Sequence, residues 1–381
     1  MTSVPLTDLA KLFLRLGLTA FGGPAAHIAM MRHEVVERRQ WLTDKDFLDL
    51  LAATNLIPGP NSTEMAIHLG YKHGGKAGLI VAGTCFILPA SLIVAAIAWA
   101  YVQYGDTPQL DWLMYGIGPV VIAIIAQALV KLGRSAITQI PHALLGTAVL
   151  VLALSGTNEL LLLMIGAVIG LLMTTGRWVG MTAILTSLAT ATQAIYLSAQ
   201  TVTAEAVPFT LTRLTLFFAK VGSILFGSGY VLVAFLRADL TERWGWLTDQ
   251  QLIDAVTIGQ ITPGPVFTTA TFIGYLLGGW SGAVLATLAI FIPGFIFVAI
   301  SQPLIPKLRN SRPLSGVLDG IVVASFGLMA AVTWQLAQTL FIDIHTGIIG
   351  LATLVILMTW KPNSTWLILA GAAVGWLLQS V

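Results

Sequence analysis

Two basic residues occupy equivalent positions in a chain that is otherwise very apolar. Arg15 lies six residues before Phe21, and Lys220 lies six residues before Phe226. Basic side chains buried in a membrane are energetically costly and usually functional, and two of them beside helix N-termini would favour a dianion over a cation or a sugar. The alternative is that both side chains extend to the membrane surface. We predict that Arg15 and Lys220 bind a substrate or gate its path.

Helix-breaking residues follow each of these cations at two places. They are Gly22, Gly23, Pro24, Pro58, Gly59 and Pro60 in the first half, and Gly227, Ser228, Gly229, Pro263, Gly264 and Pro265 in the second. Asn61 follows the first Pro-Gly-Pro run, where its side chain could bind an oxyanion or cap the half-helix. Proline lacks an N–H donor and clashes with the preceding turn, and glycine is conformationally permissive, so these runs interrupt an α-helix. In lipid the freed backbone groups must be satisfied by protein or by a water-filled cavity. We predict that the four breaks form the substrate-binding site; packing kinks are the alternative.

Two titratable side chains after the first Pro-Gly-Pro run are candidates for coupling or gating. Glu64 and His68 are four residues apart and share one helix face. Histidine titrates near neutral pH, so this pair could carry a coupled proton. The second half has Thr269 and Ile273 near the matching places, so the feature belongs to one half. A local hydrogen bond between Glu64 and His68, or a salt bridge from Glu64 to Arg15, is an equally good interpretation.

The charged loops at 32–49 and 237–254 also repeat each other. Arg32 and Arg237 each precede a glutamate by five positions, and both loops contain the sequence Trp-Leu-Thr-Asp. We predict salt-bridged turns in which the threonine caps the next helix. The alternative is that the ion pairs of Arg32 and Arg237 close a gate.

The composition indicates a membrane protein. Of 381 residues, 56% are hydrophobic and 9% are charged, whereas soluble proteins carry about 25% charged residues. The net charge of +2 does not indicate a nucleic-acid partner. A single cysteine, Cys85, excludes an internal disulfide and a multi-cysteine metal site. We therefore predict no cofactor and no metal.

The internal repeat organises the predicted helices. Its offset is 205 residues from Phe13 and Phe218 through Pro60 and Pro265. A helix that crosses a bilayer needs about 20 mainly apolar residues. The candidate spans are 8–31, 46–71, 77–103, 111–131, 139–155 and 158–175, and then 212–236, 250–276, 281–304, 314–338, 341–359 and 364–380. The sequence thus predicts an all-α polytopic membrane protein with homologous halves at 1–175 and 206–381.

The linking segment at 176–205 decides the orientation of the second half, because one extra crossing inverts it. With about 13 spans and a cytoplasmic N-terminus, most basic residues fall inside. They are Lys72, Lys76, Lys131, Arg134, Arg177, Arg237, Arg243, Lys307, Arg309, Arg312 and Lys361. We therefore predict inverted repeats and an external C-terminus. The basic loop 32–45 would then be external, which disagrees with the rule; re-entrant first and second spans are the alternative.

The motifs together resemble the long, two-domain form of the chromate ion transporter (CHR) family. The resemblance rests on the Phe-Gly-Gly-Pro and Pro-Gly-Pro elements, the Trp-Leu-Thr-Asp turn, and the Gly-Tyr pair after each Pro-Gly-Pro. It implies a protein of the bacterial or archaeal inner membrane that extrudes chromate, driven by the membrane potential or a proton gradient, with sulfate as a competitor. The second half departs from the stronger motif at 227–229, which implies unequal contributions from the two halves.

The leading hypothesis is a secondary active transporter of a tetrahedral oxyanion, most plausibly chromate efflux. Uptake or exchange of sulfate or another anion, and a passive anion channel, are the alternatives. The sequence contains no metal-ligand cluster, phosphate-binding loop or nucleophile–base constellation, so we predict that the protein is not an enzyme. A homodimer is compatible with the sequence, although no single glycine-rich face predicts one.

Overall fold

The computed structural model describes residues 4–21, 23–54, 57–104, 108–175, 207–225, 231–301, 312–360, 362 and 364–380. Within these ranges the protein consists of fourteen helices and contains no β-strand. The linking segment 176–205 lies outside the described residues, so its predicted crossing stays a prediction, as do the boundaries of the two halves.

The seven helices of each half follow one another in the same order. The first half contains α1 (Leu6–Thr19), α2 (Gly23–Arg32), α3 (Asp44–Thr54), α4 (Asn61–Tyr104), α5 (Pro108–Ala136), α6 (Ile140–Leu154) and α7 (Glu159–Thr175). The second contains α8 (Leu211–Ile224), α9 (Leu232–Leu236), α10 (Asp249–Ile261), α11 (Thr269–Ser301), α12 (Arg312–Leu340), α13 (Ile344–Thr359) and α14 (Ser364–Gln379). Turns of π-helix at His33–Arg38 and Arg237–Arg243 extend α2 and α9, and a 3₁₀ turn at Val266–Thr268 precedes α11. Each helix of the first half therefore has its counterpart seven helices later.

The helices that could cross a membrane lie in the later part of each half. Among the described residues, α4, α5, α11 and α12 contain apolar stretches long enough to span a bilayer. Shorter apolar helices, α6, α7, α13 and α14, accompany them. The all-helical, polytopic membrane architecture predicted from the composition is thus confirmed.

α4 is not one straight helix but two arms that fold back on each other at Gly75, which has φ +58°. A Cβ atom added to Gly70 would overlap the carbonyl oxygen of Gly78. Residues eight apart in a straight helix are separated by about 12 Å. We call the short arm, 61–74, α4a and the long arm, 76–104, α4b. α11 reverses in the same way, at its own glycine pair.

The predicted span 8–31 is a helical hairpin in the structure. Arg15 on α1 forms an ion pair with Glu34, which follows α2. Nineteen residues of continuous helix would separate these residues by about 28 Å, so the chain reverses at the Phe-Gly-Gly-Pro break. The counterpart in the second half reverses as well, since Lys220 pairs with Asp239.

The second predicted span of each half, at 46–71 and its counterpart, also folds back at its Pro-Gly-Pro break. In the first half, Lys72 near the end of α4a pairs with Asp46 near the start of α3, at 3.1 Å. In the second half, Gly259 on α10 lies against Thr269 at the start of α11. The prediction of about 13 spans counted each of these four segments as one crossing. A hairpin begins and ends on the same side of the membrane. These four segments therefore correspond to the re-entrant alternative.

The two halves run in opposite directions through the molecule. α5 and α12 are repeat counterparts, and they pack against each other. Gly118 on α5 lies against Leu340 of α12, whereas Gly133 lies against Phe326. The contacts move forward along one helix and backward along the other, so the counterparts are antiparallel. This arrangement is that of inverted repeats, as predicted.

The long helices of each half pack against helices of the other half, so the halves do not form separate bundles. α5 of the first half packs against α13 and α14 of the second, and α12 packs against α6 and α7. Glycines permit close backbone approach: Gly116 contacts Gly371 and Gly375, and Gly166 contacts Gly320. Small residues commonly line helix interfaces in membranes, where close packing provides much of the association energy.

Candidate functional site

Each Pro-Gly-Pro break is hydrogen-bonded to the C-terminal end of the first helix of the other half. The Gly59 N–H, in the first Pro-Gly-Pro run, donates to the Leu225 carbonyl at 2.7 Å. The Gly264 N–H, in the second run, donates to the Ala20 carbonyl at 2.9 Å. The two hydrogen bonds are exact counterparts under the 205-residue offset. We call them the two crossing hydrogen bonds.

The crossing hydrogen bonds lie near the middle of the long helix arms. Gly17 of α1 packs against the Phe86 carbonyl, and a Cβ atom on Gly264 would lie 2.6 Å from the Ala90 Cβ. Ala90 is at the midpoint of α4b, a helix arm of about 43 Å. A bilayer hydrocarbon core is about 30 Å thick. We therefore expect the breaks to lie near the middle of the bilayer, the depth at which transporters with broken helices bind substrate.

Several helices begin at these breaks. α2 begins at Gly23, which has φ +78°, with Pro24 next to it, and α4 begins at Asn61 directly after Pro60. The first N–H groups of a helix have no partner within it, and the helix dipole adds a partial positive charge. Such ends favour an anion. The predicted residues Gly22, Gly227, Ser228 and Gly229 lie outside the described residues, and their part in the site stays a prediction.

Arg15 and Lys220 each pair with a buried acid of their own hairpin. The Glu34 side chain is 9% exposed and accepts from Arg15, from Arg38 at 3.1 Å and from Arg39 at 3.2 Å. Burial raises the pKa of Glu34, but hydrogen bonds from the three arginines outweigh it and leave that pKa below its usual value. In this conformation both predicted substrate cations are thus neutralised by protein carboxylates, and substrate binding by them stays a prediction.

The acids of these ion pairs are functional candidates that the sequence reasoning did not single out. Asp239 is the counterpart of Glu34, and its side chain is 3% exposed. It accepts from Lys220 and, at 3.4 Å, from Arg243. The available signal was the repeat itself, which conserves an acid at this position in both halves.

Arg32 and Arg237 form the predicted salt-bridged turns. Arg32 pairs with Glu37 and Asp44, and its counterpart Arg237 pairs with the counterpart acids Glu242 and Asp249. The Trp-Leu-Thr-Asp threonines accept backbone N–H groups of the helices that follow, at 3.1 Å in each half. The turns are confirmed, while a gating role for these ion pairs stays a prediction.

Glu64 lies in the first turn of α4 and is completely buried. Neither of its carboxyl oxygens has a hydrogen-bond partner among the described residues. The two local interpretations of Glu64 are therefore wrong: Arg15 pairs with Glu34, and His68, although fully buried, does not hydrogen-bond to the carboxyl group. The carboxyl group lies against Gly59 of its own half, and the Cγ methylene of the same side chain lies beside Gly294 of α11.

Comparison with known proteins gives a consistent family assignment. Residues 7–171 and 212–376 each match the chromate transporter family. The chromate transport protein of Cupriavidus metallidurans is 35% identical over 373 residues, which are 97% of this chain and 92% of that protein. The probable chromate transport protein of Synechococcus elongatus is 33% identical, over 93% of this chain and 90% of that protein.

The chromate transport protein of Pseudomonas aeruginosa is 32% identical over 378 residues, covering 96% of this chain and 91% of that protein. No solved structure matches the chain significantly. The two matched regions coincide with the two antiparallel sets of seven helices, so the repeat seen in the sequence is a repeat of one family unit. The chain therefore belongs to the chromate transporter family.

Proposed function

We propose that this membrane protein is a secondary active transporter that extrudes chromate from the cytoplasm, driven by the membrane potential or a proton gradient. The observation that carries the proposal is the pair of crossing hydrogen bonds, which join broken helices of one repeat to those of the other. Rocking of one half against the other about this region would expose it alternately to the two sides. The relatives named as chromate transport proteins support the choice of anion.

The membrane potential alone is sufficient to drive efflux of a dianion. Moving one charge through 100 mV is worth about 2.3 kcal/mol, so a dianion gains about 4.6 kcal/mol when it leaves a cell that is negative inside. That energy corresponds to a concentration ratio of more than about a thousand.

The proposed binding cradle consists of the backbone at the breaks together with the two cations. N–H groups at the starts of α2 and α4 and at the start of the 3₁₀ turn after the second Pro-Gly-Pro run would face the oxygens of the anion. Arg15 and Lys220 would exchange Glu34 and Asp239 for the substrate when a hairpin moves. Sulfate has the same charge and shape as chromate, so the same donors would accept it as a competitor.

We also propose a cytoplasmic N-terminus and an external C-terminus. Hairpins that begin and end on the N-terminal side would bring the four basic residues of loop 32–45 to the cytoplasm, which removes the disagreement with the positive-inside rule. The two basic residues of loop 237–248 would move outside. Replacing two crossings per half by hairpins leaves the crossings per half even, so the parity argument for a crossing at 176–205 is unchanged.

Chromate accumulation in everted membrane vesicles tests this function. Vesicles with and without the protein are energised by respiration and given chromate, with and without excess sulfate. Energised accumulation that sulfate inhibits is the expected result. Accumulation only in right-side-out vesicles would replace efflux by uptake. Flux that dissipates every gradient and shows no counterflow would indicate a passive channel.

A further inference from the structure

A titratable side chain of the first half lies at each of the two crossing hydrogen bonds. At the first bond, the Gly59 N–H to the Leu225 carbonyl, the side chain is Glu64: a Cβ atom on Gly59 would overlap its carboxyl group. At the second bond, the Ala20 carbonyl accepts from Gly264 and also from the His27 ring, whose Nε2 is 3.0 Å away.

The hydrogen bonding of His27 defines its tautomer. A carbonyl oxygen only accepts, so Nε2 must carry the hydrogen that it donates to Ala20. The other ring nitrogen, Nδ1, is then an acceptor, and it is buried without a hydrogen-bond partner among the described residues. His27 itself is 1% exposed. A proton could therefore be added at Nδ1 without breaking the bond to Ala20.

The second half offers no titratable counterpart to either side chain. The position equivalent to His27 is Leu232, and the position equivalent to Glu64 is Thr269. The Thr269 hydroxyl donates to the Val266 carbonyl at 2.8 Å, so it is satisfied within its own turn. The two crossing hydrogen bonds are symmetric, but at these two positions the titratable side chains belong to the first half alone.

The helices around Glu64 do not supply it with a compensating charge. α4 packs against α1, α2, α3, α10 and α11, together with the 3₁₀ turn before α11. The charged or titratable side chains described there are Asp8, Lys11, Arg15, His27, Arg32, Asp44, Lys45, Asp46, Asp249, Asp254 and Tyr275, with His68, Tyr71, Lys72, His73, Lys76, Cys85, Tyr101 and Tyr104 on α4 itself. None of them donates a hydrogen bond to the Glu64 carboxyl group. Arg15, the cation on α1 nearest the break, is held by Glu34.

Around His27 the neighbouring charges are likewise engaged elsewhere. α2 packs against α1, α4 and its own π-helical turn, where Glu34 and Glu37 hold the arginines and His33. The His27 ring stacks edge-on against Phe86. No acid is hydrogen-bonded to its Nδ1.

We propose that the first half binds the coupling proton at Glu64, with His27 as the second proton-binding group; this rests on the proposed transport function. A buried carboxylate without a donor is strongly disfavoured, so the closed arrangement requires the neutral acid. Releasing the proton to water leaves a carboxylate that needs hydration, which requires the contact at Gly59 to open. Because Glu64 adjoins the proposed anion cradle, a proton on it favours the dianion, and the dianion favours the proton. The two would therefore leave the cell together, and the membrane potential, acting on their net charge of −1, would drive the efflux.

Chromate counterflow in proteoliposomes containing the full-length protein tests this proposal. Between about pH 6 and about pH 8, the wild-type KM for chromate should rise by more than about tenfold. Glu64→Gln imitates the neutral acid, so it should keep counterflow, with a low KM that does not change with pH, and should lose its response to an imposed pH gradient. His27→Gln retains a donor for Ala20 and should reduce the pH dependence without abolishing it.

Thr269→Val is the matched control in the second half, and its pH dependence should follow the wild type. A Glu64→Gln protein that shows the wild-type pH dependence would overturn the proposal. If the wild-type protein performs no chromate counterflow, the proposed function fails, and infrared titration of the purified protein decides the proton site by itself. A protonated-carboxyl band that is present in wild type and absent from Glu64→Gln would support the site; an identical band in both would overturn it.

Discussion

Gly264→Ala tests whether close backbone contact at the second crossing hydrogen bond is essential. Gly264 has φ +88°, where an L-residue is strained by about 1 to 3 kcal/mol. Its new Cβ would lie 2.6 Å from the Ala90 Cβ, so α4b or the break must move by about 1 Å to reach ordinary contact, and overpacking costs a further 1 to 3 kcal/mol, roughly. We expect a loss of about 2 to 6 kcal/mol and a weakened bond from Gly264 to the Ala20 carbonyl.

Gly279→Ala is the matched control for this substitution. Gly279 has φ +59°, and a Cβ atom there would meet nothing within 4 Å. It should therefore show the strain, about 1 to 2 kcal/mol, without the crowding. Thermal unfolding in detergent and chromate flux per molecule of inserted protein measure the two effects. We expect Gly279→Ala to retain transport and Gly264→Ala to lose it. An equal loss of chromate flux in the two variants, or retained flux in Gly264→Ala, would refute the argument that close contact at the breaks is essential.

Three further substitutions test the ion pairs. Arg15→Gln should abolish transport but not membrane insertion, because Glu34 keeps two other arginines; transport at unchanged affinity would remove Arg15 from the site. Lys220→Gln should lower the unfolding temperature more than Arg15→Gln does, because it leaves Asp239 only Arg243 at 3.4 Å; the reverse order in thermal unfolding would contradict this. Glu34→Gln should destabilise the protein at neutral pH. Since the folded pKa of Glu34 is lowered, this loss should shrink as the pH falls below the ordinary value of 4.5; a loss independent of pH would show that the charge is not responsible.

Local sequence signals predicted the parts of the molecule that depend on nearby residues. The Trp-Leu-Thr-Asp threonines cap their helices because capping needs only a side-chain oxygen and an N–H group three residues on. Arg32 and Arg237 form the predicted ion pairs. The partners are only five to twelve residues apart, so a single turn brings them together. The repeat and the apolar composition established the two homologous halves and the membrane location.

The reversal of the hairpins could not be obtained from hydropathy. The mainly apolar run at 8–31 has the length of a crossing, and a hairpin buries the same side chains, so composition does not distinguish them. The pairing of Arg15 was missed for the same reason. Its partner Glu34 lies beyond the expected end of the span and becomes reachable only when the chain turns back.

By itself, the sequence determined that helix breaks occur at matched positions in two homologous halves, because glycine and proline act locally, and its basic residues predicted that the halves are inverted. Only the tertiary structure decided that each break contacts the other half, that counterpart helices are antiparallel, and that Glu64 is left without a partner. The crossing contacts join Gly59 to Leu225 and Gly264 to Ala20, residues far apart in the chain. Such contacts follow from how whole helices pack, which no local run of residues specifies.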